Sequence, residues 1–385
     1  MGAYMSAPIT DKHGEEGENS FFEYGVSSMQ GWRIDMEDAH LACVDAEVSN
    51  LTGIYGVFDG HGGREVAKFC ANHMLEVWKS TQWFQKGNIA KSLAEAFLSM
   101  DVLLTKEASS VELNELAKKP DRDGSFDSAG GEESQMVSQA QIKQLLMGIR
   151  QGLNKNNGEA GSDVAVDEDA VDTMVESMTG TDIGYENRQS SAGPSAGCTA
   201  VVAVVIKDEV TVANAGDSRC VFSRNGRAVA MSRDHKPQDP DESDRIHKAG
   251  GFVTDGRVNG SLNLSRAIGD MEYKQRKDLD PKEHAVTAFP EILSCKLHKD
   301  DEFLILACDG IWDVMTNQEA VDFVRQRLGK VSLKKICEQI CDHCLAPDTA
   351  GIGKGCDNMT VMVVKLKDAI KSENAPFSDP QKIVV

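Results

Sequence analysis

Apolar positions along the chain switch between a period of two and a period near 3.6. Residues 21 to 58 alternate strand-like runs with turns: FFEYGVSSM, the segment around RIDMEDAH, then IYGVF. Residues 64 to 79 take up a helical period, with Val66, Ala67, Cys70, Met74, Val77 and Trp78 on one side, and residues 89 to 104 repeat it. From 198 onward CTAVVAVVI, VTVAN, RCVFS and RAVAMS read as a meander, the Asn-Gly pair of RNG serving as a tight hairpin turn. FLILAC at 303 to 308 reads as a buried strand, TNQE at 316 to 319 as a capping box that opens a helix, and MTVMVVKL as a last strand. Short turns between strands imply antiparallel neighbours, and helices segregated from them indicate an α+β layered fold rather than a doubly wound parallel sheet.

Three segments break the pattern. Residues 1 to 20 form a polar N-terminal arm. Residues 107 to 197 turn to Gly, Ser, Asp, Glu and Gln and read as an insertion with two short helical faces, Ile142, Leu145, Leu146 and Ile149, then Val171, Met174, Val175 and Met178. Residues 234 to 270 are polar and glycine-rich and read as an ordered flap, and 371 to 385 form a C-terminal tail.

Charge narrows the function. Lys and Arg total 41 against 61 Asp and Glu, a formal charge of -20, so the molecule as a whole repels nucleic acid and anionic membrane surfaces. An anionic substrate then needs local positive charge from something bound, and metal ions are the obvious source. No apolar stretch reaches the roughly 20 residues of a membrane span and no secretory leader opens the chain, so an intracellular protein, cytoplasmic or nuclear, is expected. Cys337, Cys341 and Cys344 share a helical stripe with Leu333, Ile336, Ile340 and Leu345 and read as buried small hydrophobes, because no second Cys pair completes a zinc site.

Asp59 follows IYGVF, Asp309 follows FLILAC and Asp357 precedes MTVMVV, so three aspartates each sit at the end of an apolar strand. One such residue is ordinarily a turn or cap. Three at strand ends can converge, and carboxylates about 4 Å apart repel by roughly 4 kcal/mol per pair at an effective dielectric of 20, so the cluster either protonates or holds cations. Glu37 and Asp38 add acids beside Arg33, and Asp217 and Asp313 supply further candidates. With no thiolate expected among them, these hard oxygens suit Mg²⁺ or Mn²⁺. In VFDGHGG, Asp59 is placed to bridge two cations, Gly60 can offer its carbonyl, and Gly62 and Gly63 permit the turn that starts a helix. His61 is left to protonate a leaving oxygen and Arg33 to grip a phosphate with its planar fork. No G-x-x-x-x-G-K-[ST] loop occurs, GHGG is too short for a dinucleotide fingerprint, and no cysteine lies in a C-x₅-R cradle.

In this order RIDMEDAH, VFDGHGG, GCTAVVAVV, NAGDSR, SRDHKP, GRVNGSLNLSRAIGD, LACDGIWDVM and GCDNMTVMVV resemble the metal-dependent serine/threonine protein phosphatases of type 2C. MGAYMSAPIT and LAPDT are most similar to the plant enzymes and the animal gamma type. The resemblance implies a catalytic domain over residues 21 to 370, built as a four-layer α-β-β-α sandwich of two mainly antiparallel sheets flanked by helices. It implies two Mg²⁺ or Mn²⁺ ions per centre: Asp59 bridging both, the Gly60 carbonyl on one, Asp309 and Asp357 on the other, Glu37 and Asp38 acting through water. Asp217 with Asp313 are the candidates for a third, weaker cation. His61 is the implied general acid and Arg33 the phosphate holder, in a hydrolysis of phosphoserine and phosphothreonine by a metal-activated water in line, without a covalent phosphoenzyme. Phosphoproteins are the implied partners, without nucleic acid, and a monomer is expected. The insertion matches the acidic insert of the gamma type in place but is shorter and less charged. A catalytically silent binding module on the same fold is the alternative; its usual sign is lost ligands, and none of these positions is substituted. Gly2 with Ser6 fits the N-myristoylation pattern, which carries an expectation of reversible membrane contact through a single acyl chain.

Overall fold

A computed structural model describes residues 4–44, 46, 52–118, 193–351, 353–368, 371 and 379–385, and all of these belong to one unit formed by 1–136 with 192–385. Gly2 and the two short helical faces expected within the insertion lie outside the described residues.

The chain begins with β1 (Tyr4–His13), β2 (Glu16–Glu18), β3 (Phe22–Arg33), β4 (Ala39–Cys43), β5 (Thr52–Phe58) and β6 (Gly60–His61). Helices α1 (Glu65–Ser80), α2 (Gln82–Gln85), α3 (Ile89–Leu104) and α4 (Glu107–Ala117) follow. After the insertion come β7 (Gly197–Cys198), β8 (Ala200–Ile206), β9 (Glu209–Ala215), β10 (Arg219–Arg224) and β11 (Arg227–Ala230). The flap contains α5 (Pro240–Lys248), β12 (Val253–Thr254), β13 (Arg257–Val258) and β14 (Ile268–Gly269). The last part runs β15 (Glu291–Lys296), β16 (Asp301–Ala307), α6 (Asp309–Trp312), α7 (Asn317–Arg325), α8 (Leu333–Cys344), β17 (Met359–Leu366) and β18 (Gln381–Lys382).

Two sheets form the body. One has the order β1-β3-β17-β16-β10-β11, with β2 also on β3; the other has the order β18-β15-β9-β8-β5-β4, and every strand pair is antiparallel. Phe22, Tyr24 and Val26 of β3, Leu304 and Leu306 of β16 and Met362 and Val364 of β17 meet Tyr55, Val57, Val201 and Val212 of the second sheet in one core. The alternate residues, Phe303, Ile305, Val361 and Val363, face outward onto α7 and α8. Both faces of these strands are therefore buried, which is why FLILAC and MTVMVV read as continuous apolar runs. On the other side α1 packs on β4 and β5, and α3 on β9. The result is the expected α+β sandwich, helices outside and sheets inside.

Local signals behave as their chemistry requires. The Arg224↔Arg227 pair closes a two-residue turn in which Asn225 and Gly226 both take positive φ, +48° and +77°. Thr316 and Glu319 form the reciprocal capping box of α7. Cys337, Cys341 and Cys344 are buried along α8 beside Ile336 and Ile340.

Five details differ from the sequence reading. The 1–20 arm supplies β1 and β2, which lengthen the first sheet; no residue of β1 is fully buried, so it left no apolar signature. Residues 107–117 of the expected insertion are α4, anchored on α1 by the buried pair His73 and Glu112, 2.8 Å apart, a polar contact that hydrophobic patterning does not register. Residues 193–197 at its other end reach β7, which pairs with β6. Part of the 371–385 tail is β18, which pairs with Leu293 and Ser294 of β15. Within RIDMEDAH, Arg33 ends β3 and Ala39 and His40 begin β4, while residues 34 to 38 between them are irregular.

Gly25 lies where β3 passes under α8, and a Cβ there would come 2.1 Å from the Lys334 nitrogen. Gly25→Ala is therefore expected to force helix and sheet apart and cost roughly 1–3 kcal/mol by the usual penalty for overpacking, measured by denaturant unfolding. An unchanged midpoint would contradict this packing.

Candidate metal centre

The antiparallel register determines where the acids go. Pairings Met359↔Met29, Ala307↔Val361, Phe58↔Ala39 and Ala200↔Ala215 place the end of β3, the start of β17, the end of β16, the end of β5, the start of β4 and the end of β9 at one edge of the sandwich. Arg33, Asp357, Asp309, Asp59, Asp38 and Asp217 are the residues at or just beyond those ends. Two groups of ligand atoms result, each within 4.8 Å: Asp38, Asp59 and Cys308, and Asp59, Asp217 and Asp309. Asp59 belongs to both. A cavity of about 350 Å³ opens over them, walled by Arg33, Glu37, His61 and Asp357 and by Leu262, Asn263 and Leu264 from the flap.

Backbone packing holds the floor together. A Cβ on Gly60 would stand 2.4 Å from the Glu37 carbonyl oxygen, so only glycine lets the Asp59 turn approach the 34–38 loop. Gly62 and Gly63 take φ of +71° and +146° in the turn into α1. Asn358 knits the same loop to the β17 end: its Nδ2 donates to the carbonyls of Gln30 and Asp35 at 2.8 and 2.9 Å, while its Oδ1 accepts from the Glu37 N–H at 2.9 Å.

The electrostatics are those of crowded, buried acids. Burial, then Asp309, Asp38, Asp357 and Asp217, push the Asp59 carboxyl well above the usual range. Burial and then Asp217, Asp357 and Asp313 do the same to Asp309. Asp38 is pushed up to about 7, chiefly by burial. Its buried oxygens form no hydrogen bond of good geometry among the described residues, and the nearby Thr360 and Cys308 side chains only partly offset the burial. Glu37 is raised, by burial and then Asp35. Crowded carboxylate oxygens, two of them buried without a well-aligned donor, fit a hard divalent cation.

Other expected residues stand as follows. Arg33 is ion-paired with Asp357, and its buried Nε has no hydrogen-bond partner among the described residues. His61 lies on the cavity wall with Nε2 2.7 Å from Oδ2 of Asp270, which is 3 % exposed. Burial opposes the imidazolium, but the hydrogen bond and charge of Asp270 outweigh it, and the pKa is raised. Asp313 is exposed and joins neither ligand group among the described residues; Asp217 groups with Asp59 and Asp309 and pairs with Lys236.

Four residues went unassigned in the sequence reading. Asp270 closes the stretch SRAIGD, but 209 positions separate it from His61, and only β7, between β6 and β14, brings them together. Asn358 and Lys236 lie within GCDNMTVMVV and SRDHKP, but no local pattern there assigns either a role. Cys308 joins one ligand group although the sequence reading did not name it; burial, then Asp38 and Asp59, raise its pKa well above the ordinary value, so it stays a protonated, soft donor unsuited to the ions that carboxylates favour.

Comparison with known proteins agrees with this geometry. The family model described as Protein phosphatase 2C matches residues 22–125 and 112–351. "Probable protein phosphatase 2C 11" of Oryza sativa subsp. japonica is 45% identical over 373 residues, covering 96% of this chain and 92% of the relative. "Protein phosphatase 1G" of Homo sapiens is 33% identical over 522 aligned positions, covering 100% of this chain and 96% of the relative. Among solved structures, a phosphatase from Toxoplasma gondii superposes with a TM-score of 0.60 at 21% identity, covering 97% of this chain and 100% of that one, a likeness of fold. The matched family, the breadth of coverage and the acidic sheet edge agree: the chain belongs to the protein phosphatase 2C family.

Proposed function

We propose that this phosphatase hydrolyses phosphoserine and phosphothreonine in proteins with two Mg²⁺ or Mn²⁺ ions held by Asp59, the Gly60 carbonyl, Asp309 and Asp357, with Glu37 and Asp38 acting through water and a weaker third cation at Asp217 and Asp313. The observation that carries this reading is the delivery of Asp59, Asp309 and Asp217 from separate strand ends into one pocket where Asp59 and Asp309 resist ionisation. Bound divalent cations supply the missing positive charge, polarise phosphoryl oxygens and lower the pKa of water.

The chain's own groups do the rest. Arg33 offers a planar fork to phosphate oxygens and holds the group in line, and its unbonded Nε is a donor ready for that use. Asp270 holds Nε2 of His61, fixing the ring and favouring the imidazolium. The proton on Nδ1 is then free to pass to the serine or threonine oxygen as its bond to phosphorus breaks. Leu262 and Leu264 cover the cavity from the flap side and limit access of bulk water.

Asp59→Asn is expected to lower manganese-dependent turnover of a phosphothreonine peptide by at least about a hundredfold while the far-UV spectrum is unchanged, and chelator should do the same to the unaltered protein. Turnover surviving both would refute the metal reading. In a mixed phosphopeptide library, phosphotyrosine sites should remain unhydrolysed.

Asp270→Asn tests the histidine. A raised pKa keeps His61 protonated to higher pH, so activity requiring the acid falls only as pH climbs through that raised value. Removing the Asp270 charge should move this alkaline limb to lower pH by about one unit. An unmoved limb would assign the proton donor elsewhere.

A further inference from the structure

The Asp217 carboxylate is 2 % exposed and already holds a cation, the ammonium group of Lys236. The contact is built by the backbone. The His235 N–H donates to the Gly216 carbonyl at 3.0 Å, so the residues that follow each of them, Lys236 and Asp217, are set side by side. Lys236 also opens the flap: its N–H donates to Oδ2 of Asp239 at 3.0 Å, and Asp239 is the N-cap of α5. The ammonium acts electrostatically on Asp309 and Asp313 as well as on Asp217. It therefore stands among the acids assigned above to the third cation.

We infer that Lys236 is a tethered cation that competes with a divalent ion for Asp217, so that the third cation binds only by displacing the lysine and thereby unfastens the start of α5 from the acidic floor. This rests on the proposed metal centre and adds to it the reason why one site is weak. Asp217 can satisfy an ammonium or a divalent ion at the same oxygen, not both, since two cations in contact there would repel. A covalently attached competitor is present at high effective concentration whatever the solution contains, which lowers the apparent affinity of the free ion without changing its ligands. The ion pair of Lys236 is to Asp217, which is not a ligand of the two proposed tight positions, so loss of the lysine bears first on the weak site.

The test is a titration of the full chain with Mn²⁺ alone, free ion counted by electron paramagnetic resonance, for the unaltered protein, Lys236→Met, Lys236→Arg and Asp217→Asn. Met keeps the length and removes the charge. The weakest class of sites is expected to tighten about tenfold or more in Lys236→Met, to stay near its original affinity in Lys236→Arg, and to disappear in Asp217→Asn whether or not Lys236 is replaced. Amide exchange over residues 236 to 248, measured on the same samples, should speed up when the weak class fills in the unaltered protein and be already fast in Lys236→Met without manganese. An unchanged or weakened weak class in Lys236→Met, with melting showing it folded, would overturn the inference and leave the two-metal reading standing. If Lys236→Met does not fold, Lys236→Arg together with the exchange measurement decides: filling the weak class without faster exchange contradicts displacement. Absence of any Mn²⁺ binding to the unaltered protein would instead overturn the metal centre itself.

Discussion

Mutual repulsion among carboxylates at one edge of a sandwich is the interaction from which the rest follows. Asp59, Asp309 and Asp38 each hold their protons far more firmly than a solvated acid, because burial and neighbouring acids both oppose a charge there. A folded chain keeps such a cluster only if the surrounding structure over-determines it. Here that support is the long antiparallel ladder of β16, β17 and β3, with apolar side chains buried on both faces. Each fully buried large side chain of that ladder contributes roughly 1.5–3 kcal/mol, and there are enough of them to carry a strained edge.

The same edge explains the division of labour among cations. Where the floor is to be filled from solution, at Asp59 and Asp38, no lysine or arginine among the described residues is ion-paired with the carboxylate. Where the chain supplies such a cation, as with Arg33 on Asp357 and Lys236 on Asp217, the side chain belongs to a segment with a second task. Arg33 ends β3 and lines the cavity beneath the flap; Lys236 precedes α5 and ties flap to floor. The flap itself is independently built: it has its own small core around Ile246 and Val258, and the buried Glu242 is clasped by Arg245 and Arg266 at 2.7 and 2.5 Å.

Much of this could be read in the chain, for reasons that differ by residue. Asp59, Asp309 and Asp357 were visible because each terminates a strand apolar on both faces, and strand ends in an antiparallel sandwich meet at an edge. The helix bearing Cys337 and Cys341 was visible because its stripe is apolar. β1 was not, since an edge strand with no fully buried side chain has no periodic signature. Helix α4 was hidden because a buried Glu112–His73 pair anchors it, and composition sees only another acid. Asp270, Asn358 and Lys236 were hidden for a third reason: their roles arise from contacts across long stretches of chain or between adjacent loops, and no local pattern encodes which partner a polar side chain will meet.

If the cost of ionising these buried, crowded acids together is what the ions offset, then metal binding must expel protons. Calorimetric titration of the full chain with Mn²⁺ at pH 7, repeated in buffers of different ionisation enthalpy, counts them directly. The account predicts release of at least about one proton as the tight positions fill, because burial and neighbouring acids raise the pKa of Asp59, Asp309 and Asp38. Binding with no proton released would mean that these carboxyls are already ionised and stable together, and would contradict the claim that their repulsion organises the site.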